Sequence, residues 1–238
     1  MEEHRFFDHW LKGIDNGVMR EAPVTYFTYN EARERAWKTA ALWPLPNEKR
    51  IAYYLAPQTL GTSKPAASAT SVATVDFSVD DKSFWDKGLT FMTEPLASDT
   101  EVTGHPVLDL RLSTTATDAD LVARVDDVAP DGSSQYYFVE GKLRASLRAL
   151  AQAPYDTMGL PWHPFTKSSA QPLEPNVPVD VTLDLYPISY LFKQGHRIRL
   201  TLNFADERAT QKIVPAPVVT VYHSKEQPSR LTLPIIPR

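Results

Sequence analysis

Six histidines, His4, His9, His105, His163, His196 and His223, are the first candidates in this chain for proton transfer or metal ligation. No two stand at the spacing that sets a metal pair on one helix or strand, although a site assembled in three dimensions stays open. His105 and His163 precede proline and His196 follows Gly195, contexts that favour a ring hydrogen-bonded locally at a turn or strand end. An esterase-type nucleophile needs a serine centred between glycines four positions apart. Only Gly13 and Gly17 have that separation, and the residue between them is Asp15. Neither a phosphate-binding glycine loop nor a His-Glu-x-x-His pattern occurs. With no cysteine, disulfides, thiolate zinc sites and cysteine nucleophiles are excluded.

The carboxylate pairs Asp80/Asp81, Asp118/Asp120 and Asp126/Asp127 could supply calcium oxygens or a glycosidase acid and base. Solvated loop carboxylates are the commoner case, and none of the pairs shows the ordered ligand series of a calcium loop. No metal and no cofactor is expected. Arg197 and Arg199 share the wet face of one strand, as Asp180 and Asp184 do of another. Cross-strand ion pairing explains such residues, and a shelf for an anionic partner is the alternative. Trp37, Trp43, Trp85 and Trp162, with Tyr53 and Tyr54, either cap the core or include a sugar-stacking platform, but no strand carries an evenly spaced aromatic row. Trp85, Trp162, Arg197 and Arg199 are therefore the candidate ligand-facing residues.

The elements that must position these groups centre on Val179–Asp206. There Val179, Val181, Leu183 and Leu185 alternate with polar residues, and Ile198, Leu200, Leu202 and Phe204 do so again after a turn region containing Gly195. Period-two alternation marks strands with one face in a core. Further strands are expected at 23–29, 50–56, 72–79, 89–93, 107–113, 121–128, 135–148 and 218–222, with an edge strand at 230–236. Pro130-Asp131-Gly132 turns the 121–128 strand into a hairpin with its successor. Residues 30–46 read as at most a helical turn and a loop, 57–70 as a surface loop, 80–87 as a polar excursion carrying Phe84 and Trp85, and 149–178 as a proline-rich irregular connection. Near the N-terminus, Phe6, Phe7, Trp10 and Leu11 form one apolar stripe on a helix over residues 2–12, closed by Gly13. So short a helix must dock on something, and the stripe is the candidate docking or self-association face. About eight to ten strands with proline-bearing connections and little helix indicate an all-β, jelly-roll β-sandwich with a short N-terminal helix.

A formal charge of −4 with interspersed signs argues against nucleic-acid binding. No apolar run approaches the roughly 20 residues of a membrane span, and MEEHRFF lacks a signal-peptide profile. A cytoplasmic location is the weaker expectation that remains.

Six ordered segments carry a resemblance: RFFDHWLKGIDNG (5–17), EVTGHPVLDLRLS (101–113), DADLVARVDDVAPDG (118–132), GKLRASLR (141–148), GHRIRLTL (195–202) and PSRLTLPIIPR (228–238). Together they resemble the C-terminal part of the X-Pro dipeptidyl-peptidase and cocaine-esterase-like serine hydrolases, along nearly the whole chain. In that family an α/β-hydrolase domain holds the Ser-Asp-His triad and a galactose-binding-like jelly roll follows it. The resemblance implies that residues 1–20 are the helix and linker from the end of the hydrolase domain, that 21–238 are the jelly roll, and that the triad positions lie upstream. His4, inside the helix signature, is not equated with the triad histidine. Between Ala56 and Lys87 no segment matches, and no substrate-contact residue is carried over.

The function implied is that of a non-catalytic domain supporting the hydrolase domain, its active-site cleft and oligomer contacts. A homo-oligomer is a further possible partner. A carbohydrate-binding module is the alternative from fold analogy, and a self-sufficient hydrolase with an unfamiliar site is the third reading.

Overall fold

The computed structural model describes residues 2–78, 85–205 and 212–238, with 136–138 described by backbone alone. Phe84 and the pair Asp80/Asp81 of the expected excursion lie outside the described residues.

A helix α1 (Glu2–Lys12) leads through a 3-10 turn (Val18–Arg20) into β1 (Val24–Phe27), a helical turn α2 (Arg33–Ala36) and β2 (Trp37–Ala40). There follow β3 (Lys49–Ala56), β4 (Thr59–Gly61), β5 (Ala69–Thr74), β6 (Leu89–Met92), β7 (Thr100–Gly104), β8 (Val107–Thr114), β9 (Asp120–Val128) and β10 (Ser134–Arg144). The chain ends with β11 (Val179–Asp184), β12 (Ile188–Phe192), β13 (Arg197–Asn203), β14 (Val218–His223) and β15 (Arg230–Ile236). β1 and β2 pair only with each other, whereas the other 13 strands join one ladder, β10-β9-β13-β6-β4-β3-β15-β8-β14-β5, with β11 added on β8 and β12 reached through β7 from β15.

Alternation closes that ladder into a sandwich. Leu108, Leu110 and Leu112 of β8 and Ile198, Leu200 and Leu202 of β13 are all buried, and they belong to a single apolar cluster with Leu121, Val181, Val219 and Leu231. Strands far apart along the ladder thus face one interior, as an all-β jelly roll requires. Burying a leucine or isoleucine side chain contributes about 1.5–3 kcal/mol, so this shared core dominates stability. Outward-facing Asp109 and Arg111 complete the pattern, bonded to Thr182 and Asp180 of β11 at 2.7 and 2.9 Å. The expected hairpin is β9–β10. Its turn is closed by the Ala129 amide on the Ser133 carbonyl at 2.8 Å, with Gly132 at φ +84°.

Four sequence expectations need correction. β11 and β13 are not neighbours: β11 pairs with β8, and β12 lies between them in sequence. Every residue of β12 is buried, so it shows no alternation to read. β2 and β4 occupy stretches read as loop, and β7 one that received no assignment, each too short or too polar to signal a strand. β15 is an interior strand, paired with β3 on one side and with β8 and β7 on the other. Its Pro234 is tolerated because it falls in the gap between Thr232, the last β15 residue paired with β8, and Ile235, the first paired with β7. Gly104 of β7 makes room there: at φ +138°, a Cβ on it would lie 2.9 Å from Pro234 Cβ.

Because β15 is interior and Leu231 fully buried, Leu231→Ala is expected to destabilise the fold by about 2–5 kcal/mol. Urea unfolding should show a lower midpoint with an unchanged slope; a loss below about 1 kcal/mol would return β15 to the edge.

Candidate docking surface

α1 buries none of its residues. Phe6, Phe7, Trp10 and Leu11 are 50, 54, 57 and 77% exposed, with Phe6 packed edge-on against Phe7 and tilted against Trp10. The side-chain ties of the helix run to its own linker: an Arg5–Glu21 ion pair, Asn16 Nδ2 donating to the Arg5 carbonyl at 2.6 Å, and His9 Nδ1 on the Ile14 carbonyl at 3.1 Å. Gly13, at φ +70°, ends the helix by donating to the His9 carbonyl at 3.0 Å. An 11-residue helix is marginal by itself, so these ties order it while leaving its apolar stripe uncovered.

The four ligand-facing candidates are not gathered into one site. Arg199 donates through Nε and Nη2 to Asp126 Oδ2 at 3.1 and 3.0 Å, and Arg124 Nε lies 2.9 Å from Asp126 Oδ1. Asp126 is almost wholly buried, so the two guanidinium groups balance its charge. Trp85 stacks on the same cluster, its ring 4.2 Å from the Arg124 guanidinium carbon. Arg197 turns elsewhere, donating to the Thr93 carbonyl at 2.8 Å. Trp162 sits half-buried in the 149–178 connection, its carbonyl accepting from the Ala151 amide. The ion pairs of Arg197 and Arg199 therefore run to Glu94 and Asp126, while Asp180 pairs with Arg111 of β8, because β11 and β13 lie in different parts of the ladder.

Among the histidines, His196 comes nearest to a catalytic arrangement. Its Nδ1 lies 2.8 Å from Asp127 Oδ1, whose other oxygen accepts from the Tyr190 hydroxyl at 2.8 Å. A carboxylate-oriented imidazole is two-thirds of a triad, but no described serine or threonine hydroxyl hydrogen-bonds to this ring. His163 is clasped between the carbonyls of Ala149 and Thr182, and His223 is buried against Ser71, where burial pushes its pKa down. Among the described residues no group of three or more His, Asp or Glu side chains is placed to hold a metal ion.

The most elaborate polar construction fixes the β1–β2 ribbon to the sandwich. The connection between the two strands lies against β12. Tyr29 donates to the Ser189 carbonyl and accepts from the Leu191 amide, each at 2.9 Å, and Asn30 Nδ2 donates to the Leu191 carbonyl at 2.8 Å. Thr28, Ser189 and Thr103 hydroxyls follow one another at 2.8 Å, and Thr103 donates to Glu101. Glu101, 3% exposed, receives Lys38 of β2 at 2.6 and 2.7 Å and lies 3.5 Å from Arg238. The Glu31 side chain, 1% exposed, takes Arg238 at 2.6 Å and Arg35 at 3.0 Å. Burial pushes the Glu31 carboxyl up, yet the Ala32 amide and the Arg238 and Arg35 guanidinium groups outweigh it and hold its pKa at about 2.

Beyond this anchored base the ribbon carries aromatic side chains. Phe27 meets Tyr29 and its cross-strand partner Trp37 edge-to-face, each at 5.2 Å. Beside them runs an open groove of about 800 Å³, lined by Pro23–Phe27, Tyr29, Trp43 and Tyr186–Ser189. Sequence reasoning considered Trp37 and Trp43 but missed Phe27 and Tyr29. Only the Phe27–Trp37 register joins the rings, and β2 lies in a stretch whose sequence reads as loop.

The family model of the X-Pro dipeptidyl-peptidase C-terminal non-catalytic domain matches residues 16–232, and the chain belongs to that family. A putative serine esterase of Mycobacterium bovis is 36% identical over 258 residues, covering 98% of this chain and 40% of its own length. The cocaine esterase of a Rhodococcus strain is 23% identical, covering 98% of this chain and 45% of the esterase. Among solved structures, a CocE/NonD family hydrolase from Staphylococcus aureus superposes with a TM-score of 0.77 at 22% identity, over 98% of this chain and 45% of the hydrolase. The chain thus spans less than half the length of these relatives, and the structural likeness confirms the jelly-roll fold.

Two predictions follow from the charged clusters. Arg199→Ala should cost about 1–3 kcal/mol in urea unfolding, because Asp126 is left buried with one cation; unchanged stability would mean that Arg199 is free for a ligand. The folded pKa of Glu31 lies below the ordinary 4.5, so its contribution is complete above pH 4.5 and lost as pH falls toward 2. The stability difference between the wild type and Glu31→Gln should narrow over that interval, read by hydrogen exchange of residues 28–40; a constant difference would exclude the pairing.

Proposed function

We propose that this chain is the jelly-roll domain of an ester- or peptide-cleaving serine hydrolase, seated against the hydrolase domain of the same polypeptide, where it braces the active-site cleft. The observation that carries this reading is the uncovered stripe Phe6, Phe7, Trp10 and Leu11 on a helix that buries nothing against the sandwich. The family match begins at residue 16, after α1, whereas the alignments with longer relatives cover 98% of this chain. This supports assigning residues 1–20 to the end of a hydrolase domain and 21–238 to the jelly roll. The relatives' names, serine esterase, Xaa-Pro dipeptidyl-peptidase and cocaine esterase, support acyl transfer from esters or amides as the parent chemistry. The same stripe is also the candidate surface for self-association.

Sedimentation velocity at several concentrations tests the docking face. The wild type is expected to self-associate through its uncovered stripe and a Phe7→Asp/Trp10→Ser variant to stay monomeric, with neither turning over p-nitrophenyl esters or Ala-Pro-p-nitroanilide. Identical monomers would remove the stripe as an adhesive surface, and turnover that survives repurification would overturn a non-catalytic role.

A further inference from the structure

We infer that the aromatic face of the β1–β2 ribbon, Tyr29, Phe27 and Trp37 together with the adjoining groove, is the seat on the jelly roll for the hydrolase domain to whose end α1 is assigned. The inference rests on the reading above and assigns the partner to a surface distinct from the helix stripe.

The ribbon itself supplies the first argument. It has two strands of four residues each that pair with no other strand, and an isolated two-stranded ribbon is marginal in water. Its base is pinned by the Thr28, Tyr29 and Asn30 hydrogen bonds and by the pairs at Glu31 and Glu101. Its outer face nevertheless leaves Phe27, Tyr29 and Trp37 at 36, 48 and 68% exposure. Single exposed apolar residues are ordinary, but three contiguous rings on a rigidly anchored ribbon are not. Aromatic side chains on a fixed support are what binding hot spots use, since little conformational freedom remains to be lost on docking.

The groove supplies the second. Residues 186–189 also line it, and Tyr186, 66% exposed, adds a ring facing solvent. The occupant follows from the course of the chain. Residues 13–23 lead from α1 directly to Pro23, which lines the groove. A domain joined to α1 is therefore tethered beside this surface at high effective concentration, whereas a second copy would have to arrive from solution. In the relatives that this chain matches, more than half of the polypeptide lies outside the matched region. A hydrolase domain is thus a partner of adequate size.

The test grafts this chain in place of the matching C-terminal part of the Mycobacterium bovis esterase and compares Phe27→Ser and Trp37→Ser with wild type, in the graft and in the isolated chain. Trp37→Phe serves as the conservative control. Because these rings are exposed, the isolated chain should keep its urea midpoint. In the graft, either serine variant should speed proteolytic release of the jelly roll and thermal loss of esterase activity by about tenfold, with Trp37→Phe restoring the wild-type rates. If the serine variants match wild type while the grafted domains still unfold as one unit, the ribbon is not the seat, and the proposed function stands without it. Independent unfolding of the two domains in the wild-type graft would instead remove the proposed function and this inference together. The inference is also overturned if Trp37→Ser leaves the graft unaltered but abolishes a concentration-dependent dimer of the isolated chain, or abolishes saturable tryptophan quenching by p-nitrophenol.

Discussion

Two buried carboxylates hold the beginning of this chain to its end. Glu31, in the connection between β1 and β2, and Glu101, on β7, both face the guanidinium of Arg238, and Glu101 also takes Lys38. A buried carboxylate is tolerable only when cations and donors surround it. The arrangement therefore compels Arg238, Lys38 and Arg35 to converge on one place. The hydroxyl series Thr28–Ser189–Thr103 extends the cluster to β12. The apolar core would form without this cluster, but the ribbon would lose its fixed orientation. Everything proposed about the aromatic face depends on that orientation.

The same constraint separates structural charge from functional charge. Arg199, Arg124 and Asp126 look from their types like an anion shelf or an acid pair, yet each is engaged by the others and Trp85 covers the group. His196 and Asp127 show the geometry by which a carboxylate orients a general base, while the second oxygen of Asp127 is held by Tyr190. Without a hydroxyl bonded to the ring among the described residues, the pair cross-links β9 to the turn before β13.

Much of the sandwich was legible in advance where one face of a strand is wet. β8, β11 and β13 alternate because core and solvent demand opposite residue types at successive positions. Legibility failed for physical reasons. β12 is buried throughout and carries no alternation, and β2 is a four-residue strand between a helical turn and the proline-bearing stretch 41–46. β15 contains a proline that suggested an edge, although a gap between two partner strands accommodates it. At the surface, the α1 stripe was readable because all its members belong to one helix, whereas the aromatic face joins rings from β1, β2 and the connection between them.

From the sequence alone came the all-β class, the apolar stripe at 6–11, the absence of a serine elbow and the family resemblance. Each depends on residue type and local spacing. Which strands are neighbours, which aspartate answers which arginine, and that Phe27 and Tyr29 share a face with Trp37 were decided only by the tertiary structure. Those facts depend on registers between segments distant in sequence, which local periodicity does not encode.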